Sequence, residues 1–363
     1  MSIWRFAQWL SETPDAARIT LGEGDTPLVR SRHIGPAIGL PNLYFKLEST
    51  NPTGSYKDRF AAAAVSDMIA HNARLCLATS SGNAGAALAA YCAAAGIPCY
   101  VAVFDSAARN KLRQIMVYGA KIFAIRAFGL DATVTDQVLE RLSRLAGERN
   151  AALQISAYHY SPAGMAGVET LAYELAEQLP ERLDHVFCQA GGGGMTLAVA
   201  RGFERLHRQA DGNPRVAIEC VQPEGNNTIA GPLAHGLSRA CAITSTTKVS
   251  GLQVANVIDG HDTLAACRAS GGTGHVVSDE QVFAAQARLA REEGIFCEPA
   301  AAVALAGAMA ACQSGYLRAE AVVVCCVTGI GFKDEAAAER IVAGAECPML
   351  EDVEQIDAFL PSG

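Results

Sequence analysis

Lysine is scarce in this chain. Of 363 residues only Lys46, Lys57, Lys111, Lys121, Lys248 and Lys333 carry an ε-amine, and arginine supplies the rest of the positive charge. Any chemistry that needs a primary amine therefore has a short list of candidates. Positive charge as a whole is in deficit, with a net charge of -8, and no Lys/Arg block occurs. That balance argues against a general nucleic-acid binder. Aromatic residues make up only 6% while alanine is abundant, a mix that suits tightly packed helices on a sheet rather than a β-sandwich. The eight histidines show no H-E-x-x-H or comparable spacing, which argues against a metal centre. Twelve cysteines occur without a C-x-x-C pair, and Cys325 and Cys326 lie in an apolar, strand-like run. With no signal peptide, they read as buried thiols of a cytoplasmic chain rather than a disulfide framework. The alanine-rich tract 84–104 is broken by Gly96 and Pro98. It therefore divides into a helix and a strand, and does not cross a membrane.

What is present is a repeated strand-then-helix pattern. Strands are expected at 43–48, 75–79, 99–103, 121–125, 153–156, 185–190, 216–221 and 321–327. Helices are expected at 84–95, 107–118, 132–148, 165–178, 195–208, 279–293 and 300–311. Such alternation implies an α/β chain with parallel sheets covered by helices on both faces. Ligands in such folds sit at the carboxyl ends of strands. The N-terminal piece 1–10, with Trp4, Phe6 and Trp9, is amphipathic and is expected to pack on its own domain.

One stretch stands out, Asn51-Pro52-Thr53-Gly54-Ser55-Tyr56-Lys57-Asp58-Arg59-Phe60. Proline and glycine mark a loop, Ser55 is a suitable N-cap, and an alanine run follows. Lys57 falls in the first helical turn, where the backbone dipole disfavours a cation. Two readings are open there: an ion pair with Asp58, or an amine kept neutral for nucleophilic or imine chemistry.

Three further stretches follow strands. Thr79-Ser80-Ser81-Gly82-Asn83 opens a helix and offers hydroxyls, an amide and unpaired N–H groups to a carboxylate, or plain capping by Ser80 or Ser81. Gly191-Gly192-Gly193-Gly194-Met195 joins a strand to a helix. Four glycines carry an entropic cost that close backbone approach explains, and a phosphate bound by successive N–H groups fits better than tight helix–strand packing. It is not a nucleotide P-loop, and it is a weak dinucleotide signal. Thr328 ends the last apolar strand, and Lys333 in the same loop reads as a solvated charge or a partner of Asp334.

With these motifs in order, LGEGDTPL, KLESTNPTGSYKDRF, TSSGNAGAALAAY, GGGGMTLAVARGF, EPAAAVAL and TGIGFKD, the chain resembles the threonine synthase branch of the fold-type II pyridoxal-phosphate enzymes over nearly its whole length. The resemblance implies two three-layer α/β/α domains with mainly parallel sheets, of the tryptophan synthase beta-like kind. It implies a large cofactor-binding domain of residues 1–56 plus 160–363 and a smaller α/β domain of 57–159. It implies pyridoxal 5'-phosphate as cofactor, with Lys57 as its Schiff-base lysine and the base for the substrate Cα proton. Asn83 would meet the ring hydroxyl, Gly191, Gly192, Gly193, Gly194 and Met195 the phosphate, and Thr328 the pyridine nitrogen. Ser80, Ser81 and Gly82 would bind the substrate carboxylate. A small-molecule amino-acid substrate and a cytoplasmic homodimer complete the expectation, with no nucleic acid, membrane or metal partner.

The substrate end departs from the synthase pattern. Where the family has an acidic-Gly-x-Lys-Thr stretch preceded by arginine, this chain has Gly164-Met165-Ala166-Gly167-Val168-Glu169-Thr170. The lysine position is Glu169, unfavourable for a phosphorylated substrate. The glycine loop is closer to that of serine/threonine dehydratases. A dehydratase or β-replacement enzyme is thus the alternative, and a non-catalytic cofactor-binding protein a remote one.

Overall fold

Small residues decide how closely the helices approach. The structure, a computed structural model, describes residues 2–105, 109–129, 131–180, 182–209, 215–254, 256–353 and 355–360. Helix Lys57–Ala70 lies against helix Pro162–Gln178. A Cβ at Gly167 would strike the Arg59 carbonyl and Ala63, and one at Gly164 would strike the Phe60 ring and Ala64. The alanines of 61–64 and these two glycines therefore let the backbones meet, at the density protein interiors require. Helix Asn83–Ala95 closes on the other side of Lys57–Ala70.

Ten strands form two sheets among the described residues. The larger runs β1-β2-β10-β7-β8-β9 and the smaller β5-β4-β3-β6. In chain order they are β1 Leu28–Arg30, β2 Leu43–Leu47, β3 Leu75–Ala78, β4 Cys99–Phe104, β5 Lys121–Ile125, β6 Ala151–Gln154, β7 His185–Gln189, β8 Ala217–Pro223, β9 Gly274–Val277 and β10 Val323–Val327. Every pairing is parallel except that of β1 with β2 at the edge. The Val-Val-Cys-Cys-Val run of β10 is buried throughout, as expected of a strand covered on both faces. Two strands, β1 and β9, and helix Gly260–Ser270 were not expected from the sequence pattern. The helix expected at 107–118 is present as Arg109–Val117; residues 106–108 lie outside the described residues. The N-terminal segment packs on the body as expected: Ile3 is buried, and the Trp9 ring packs tilted against that of Tyr173, centroids 4.8 Å apart.

Two buried polar clusters fix the layers. In the first, Arg59 donates to both oxygens of Glu48 and both of Glu174, and Lys46 Nζ donates to Glu174, Gln178 Oε1 and the Thr26 carbonyl. In the second, at the opposite end of the large sheet from the site, Glu219 on β8 accepts from His185 at 2.8 Å, His275 at 3.0 Å, Tyr316 Oη and the Thr273 N–H. Burial opposes its charge, but these donors hold the carboxyl at about 2. A carboxyl held below its unfolded value contributes stability above that value and loses it as pH falls through the folded one. Glu219→Gln is therefore expected to cost about 1.5–3 kcal/mol near neutral pH. In urea titrations the deficit should vanish as pH approaches about 2; a deficit that persists there would contradict the assignment.

Candidate active site

The carboxyl ends of β2, β3, β6, β7 and β10 deliver the loops that carry the sequence-singled residues. Lys57 is the first residue of its helix and half-buried. Its Nζ donates to Ser156 Oγ at 2.6 Å, and Ser156 Oγ in turn faces Met165 Sδ at 3.6 Å. Burial lowers the Lys57 ammonium to about 8, against the opposing pull of Glu298 and Asp259. Desolvation at the positive end of a helix thus favours the neutral amine.

The ion pair with Asp58 does not form. Asp58 turns inward and accepts from the Thr53 N–H at 2.7 Å and Thr53 Oγ1 at 2.6 Å, and burial raises it to about 7. Ser55 is not a side-chain cap either: its Oγ is buried without a partner, and its backbone bridges to Gly329. Tertiary pairing of the lysine loop with the end of β10 overrides the local capping preference. Tyr56 N–H donates to the Thr328 carbonyl at 3.0 Å in the same pairing.

Asn83 opens its helix, with Gly82 preceding it and no side-chain cap from either serine. Ser80 Oγ instead accepts from the Gly82 N–H at 3.2 Å. Ser80, Ser81 and Gly82 are all half-exposed, and a Cβ at Gly82 would meet nothing. The loop therefore faces open space. Asn83 Nδ2 donates to Glu298 Oε1 at 2.8 Å.

Helix Gly194–Gln209 begins inside the glycine run, so its first N–H groups have no intrahelical acceptor. Gly193 has φ +97° and a Cβ there would strike Thr263 Oγ1. A Cβ on Gly194 would lie 3.3 Å from the Ser156 carbonyl and 3.2 Å from Asp259 Oδ2. The glycine loop and Lys57 thus share Ser156 as a neighbour. Met195, next in the run, is buried. Gly193→Ala is expected to weaken cofactor retention at least tenfold and cost about 1–3 kcal/mol, since left-handed backbone disfavours a side chain. Equilibrium dialysis and urea titration check this; retention unchanged would show that the loop tolerates the side chain.

Thr328 is buried, and its Oγ1 accepts from Gln189 Nε2, while Gln189 Oε1 is buried without a partner. An accepting hydroxyl keeps its own hydrogen to donate elsewhere. Lys333, expected to be solvated or paired with Asp334, donates instead to Gln114 Oε1 at 2.6 Å, while Asp334 caps the Ala337 N–H.

Three residues here carried no assignment from the sequence. Glu298 precedes helix Pro299–Gln313, accepts from Asn83, donates its N–H to the Gly329 carbonyl at 3.0 Å and acts on Lys57. Its position in the EPAAAVAL motif was the available signal. Ser156 and Asp259 had none. Asp259 accepts from the Tyr158 N–H at 2.8 Å and the His159 N–H at 3.3 Å. Glu169 is also placed differently from expectation. Its carboxylate is buried against Tyr158 Oη at 2.7 Å, Tyr173 Oη at 3.2 Å and Arg205 at 3.3 Å. It is occupied in packing between helices rather than presented to a substrate.

The residues present fit a phosphorylated aldehyde cofactor. Burial lowers the ammonium toward working pH, the glycine cradle excludes side chains behind it, and Asn83 Oδ1 can accept from a ring hydroxyl. Thr328 retains a hydrogen to offer a ring nitrogen.

The chain is similar to threonine synthase of Methanocaldococcus jannaschii, 31% identical over 347 residues, covering 94% of this chain and 82% of the relative. It is similar to threonine synthase of Methanosarcina acetivorans, 32% identical over 364 aligned residues, covering 99% and 85%. Among solved structures, maize serine racemase superposes with a TM-score of 0.74 at 24% identity, covering 94% and 96%. Threonine deaminase isoform 2 of Solanum lycopersicum does so with 0.74 at 19%, covering 95% and 94%. These two show the shared fold, that of the fold-type II enzymes. Residues 19–329 match the family described as pyridoxal-phosphate dependent enzyme; the chain belongs to that family, as a pyridoxal 5'-phosphate-dependent lyase of threonine synthase-like sequence.

Proposed function

We propose that the chain removes the Cα proton of an L-amino acid and eliminates or replaces a side-chain group, as a threonine synthase does in forming threonine and phosphate from O-phosphohomoserine. The observation that carries this reading is the Lys57 amine, lowered to about 8 by burial and held on Ser156 Oγ at 2.6 Å where the strand ends converge.

Lys57 is the residue that would hold the cofactor, with the N–H groups of Gly191, Gly192, Gly193, Gly194 and Met195 on its phosphate, Asn83 on its hydroxyl and Thr328 on its ring nitrogen. When bound, the cofactor supplies an aldehyde for the amino group and a ring that accepts electron density from Cα. Thr328 donates a hydrogen bond but holds no ring proton as a carboxylate would, which favours elimination. Lys57 Nζ takes up the Cα proton as general base, a role suited to an amine poised near working pH. Ser156 Oγ orients that amine. Ser80, Ser81 and Gly82 bind the substrate carboxylate, and Glu298 anchors Asn83.

The reading includes a smaller domain at 57–159 and a larger one of 1–56 plus 160–363. In support, all four strands of the smaller sheet fall within 57–159. It also includes a cytoplasmic homodimer, resting on the family resemblance. Among the described residues no helix is long and apolar enough to cross a membrane.

Glu169 favours a second reading, a serine/threonine dehydratase. The position where the synthase pattern has lysine carries a carboxylate that is turned into packing, so that motif supplies no cation for a substrate phosphate. Incubation with O-phosphohomoserine, L-threonine and L-serine separates the two. Threonine and phosphate from the first supports the synthase reading. A keto acid from the hydroxy amino acids, with no phosphate released from the first, replaces it by the dehydratase reading.

A further inference from the structure

Away from the site just described, Cys76, Cys92 and Cys99 form a cluster whose sulfurs all lie within 4.8 Å of one another. No spacing motif announces it. Cys76 on β3 and Cys99 on β4 are register partners in adjacent parallel strands. Cys92 comes from helix Asn83–Ala95. The turn between them is built to bring the three together: Gly96 has φ +66°, the Ile97 N–H returns to the Cys92 carbonyl at 2.9 Å, and the Cys76 N–H donates to the Pro98 carbonyl at 2.9 Å. Cys76 and Cys92 are fully buried, and Cys99 is 6% exposed at the rim.

We infer that this triad is a binding site for a trivalent thiophile, with arsenic(III) as the probe that defines it. Bonds from thiolate to a metal are about 2.3 Å, which places three sulfurs around one atom roughly 4 Å or less apart. Closing the triad from its present spacing is thus a shift of under about 1 Å, of the order that packed side chains accommodate. The sulfurs also set the charge of the occupant. The groups that act on these thiols are one another and the surrounding apolar core. A divalent ion held by three thiolates leaves one net negative charge in that core, and a monovalent ion leaves two. Buried charge without a partner is costly. Arsenous acid avoids it: As(OH)3 and three thiols give As(SR)3 and three waters. Three As–O and three S–H bonds break, three As–S and three O–H bonds form, and arsenic stays trivalent. The product is neutral. Entry to a site this buried requires local opening of the turn that carries Cys99.

The full chain is incubated with arsenite and examined by native mass spectrometry and near-ultraviolet absorption. The expected result is one bound arsenic, a mass gain of one arsenic less three hydrogens, and a thiolate–arsenic absorption. Cys92→Ala is expected to weaken uptake at least tenfold, whereas Cys188→Ala, which removes one member of the separate Cys188–Cys326 pair at 3.9 Å, should leave it unchanged. Circular dichroism is used to check that both variants fold; if Cys92→Ala does not, Cys99→Ala takes its place. No uptake by the folded chain, a gain of one arsenic and one oxygen less one hydrogen (two sulfurs and a retained hydroxyl), uptake indifferent to Cys92, or preferential retention of zinc would each overturn the inference.

Discussion

Lys57→Met is expected to lower kcat/KM by at least about 10^2–10^4-fold, the range lost with a positioned general base, while making the cofactor-free chain more stable. The two effects share one cause. The folded chain holds Lys57 in a desolvated position with its ammonium lowered to about 8, below the usual lysine value. Above the unfolded value neither state carries the proton, and nothing is lost. As pH falls toward about 8, the unfolded chain binds a proton that the folded chain resists, and the penalty grows. It is complete below that point. Screening at a half-exposed position reduces the effect, which leaves roughly 1–3 kcal/mol at neutral pH. Urea titrations of the cofactor-free proteins should show the methionine variant ahead at pH 7, with the gap closing as pH rises past 8. A wild-type chain as stable as the variant at pH 7 would mean that Lys57 is an ordinary solvated lysine.

Arg59→Met carries the largest expected stability loss, about 3–5 kcal/mol, the cost of breaking a buried ion pair from one side. Arg59 is fully buried and bonds four carboxylate oxygens and Thr170 Oγ1. Its charge opposes the desolvation that would otherwise raise Glu48 and Glu174, so both carboxyls sit below the usual range. Without it, Lys46 alone faces two buried carboxylates. Their values should then rise, so the variant's deficit should shrink as pH falls through the carboxylate range. A loss below about 1 kcal/mol, or one independent of pH, would show that the network contributes little. Arg59 follows Lys57 by two residues on the same helix, so the network also fixes the start of the helix from which the amine projects. The variant's cofactor retention should fall with its stability.

Much of this arrangement could be read before the fold was known, and the reason differs from residue to residue. Lys57, Asn83, Gly191 and Thr328 each stand where a strand pattern ends or a helix pattern begins, and such junctions collect at one edge of a parallel sheet. Ordering along the chain was enough to expect them together. Strand β9, Gly-His-Val-Val, is too short and too glycine-marked to show a period, and β1 is a three-residue edge. Ser55 had the chemistry of a cap, but its backbone is claimed by Gly329 from the far end of the sequence. Asp58 was the natural local partner of Lys57, and Thr53 took it instead. Ser156, Asp259 and Glu298 act through contacts about 100 to 240 residues away in sequence. Such contacts leave no periodic trace. Position in a motif says only that Glu169 stands where a lysine is expected, whereas Tyr158, Tyr173 and Arg205 decide where its carboxylate points.

The central claim is that one lysine of six carries the cofactor. Borohydride reduction of the protein reconstituted with pyridoxal 5'-phosphate, followed by proteolysis and mass spectrometry, reads this directly. The account predicts one phosphopyridoxyl group per chain, on Lys57. Modification of Lys46, Lys111, Lys121, Lys248 or Lys333 in its place, or no stable adduct, would contradict it.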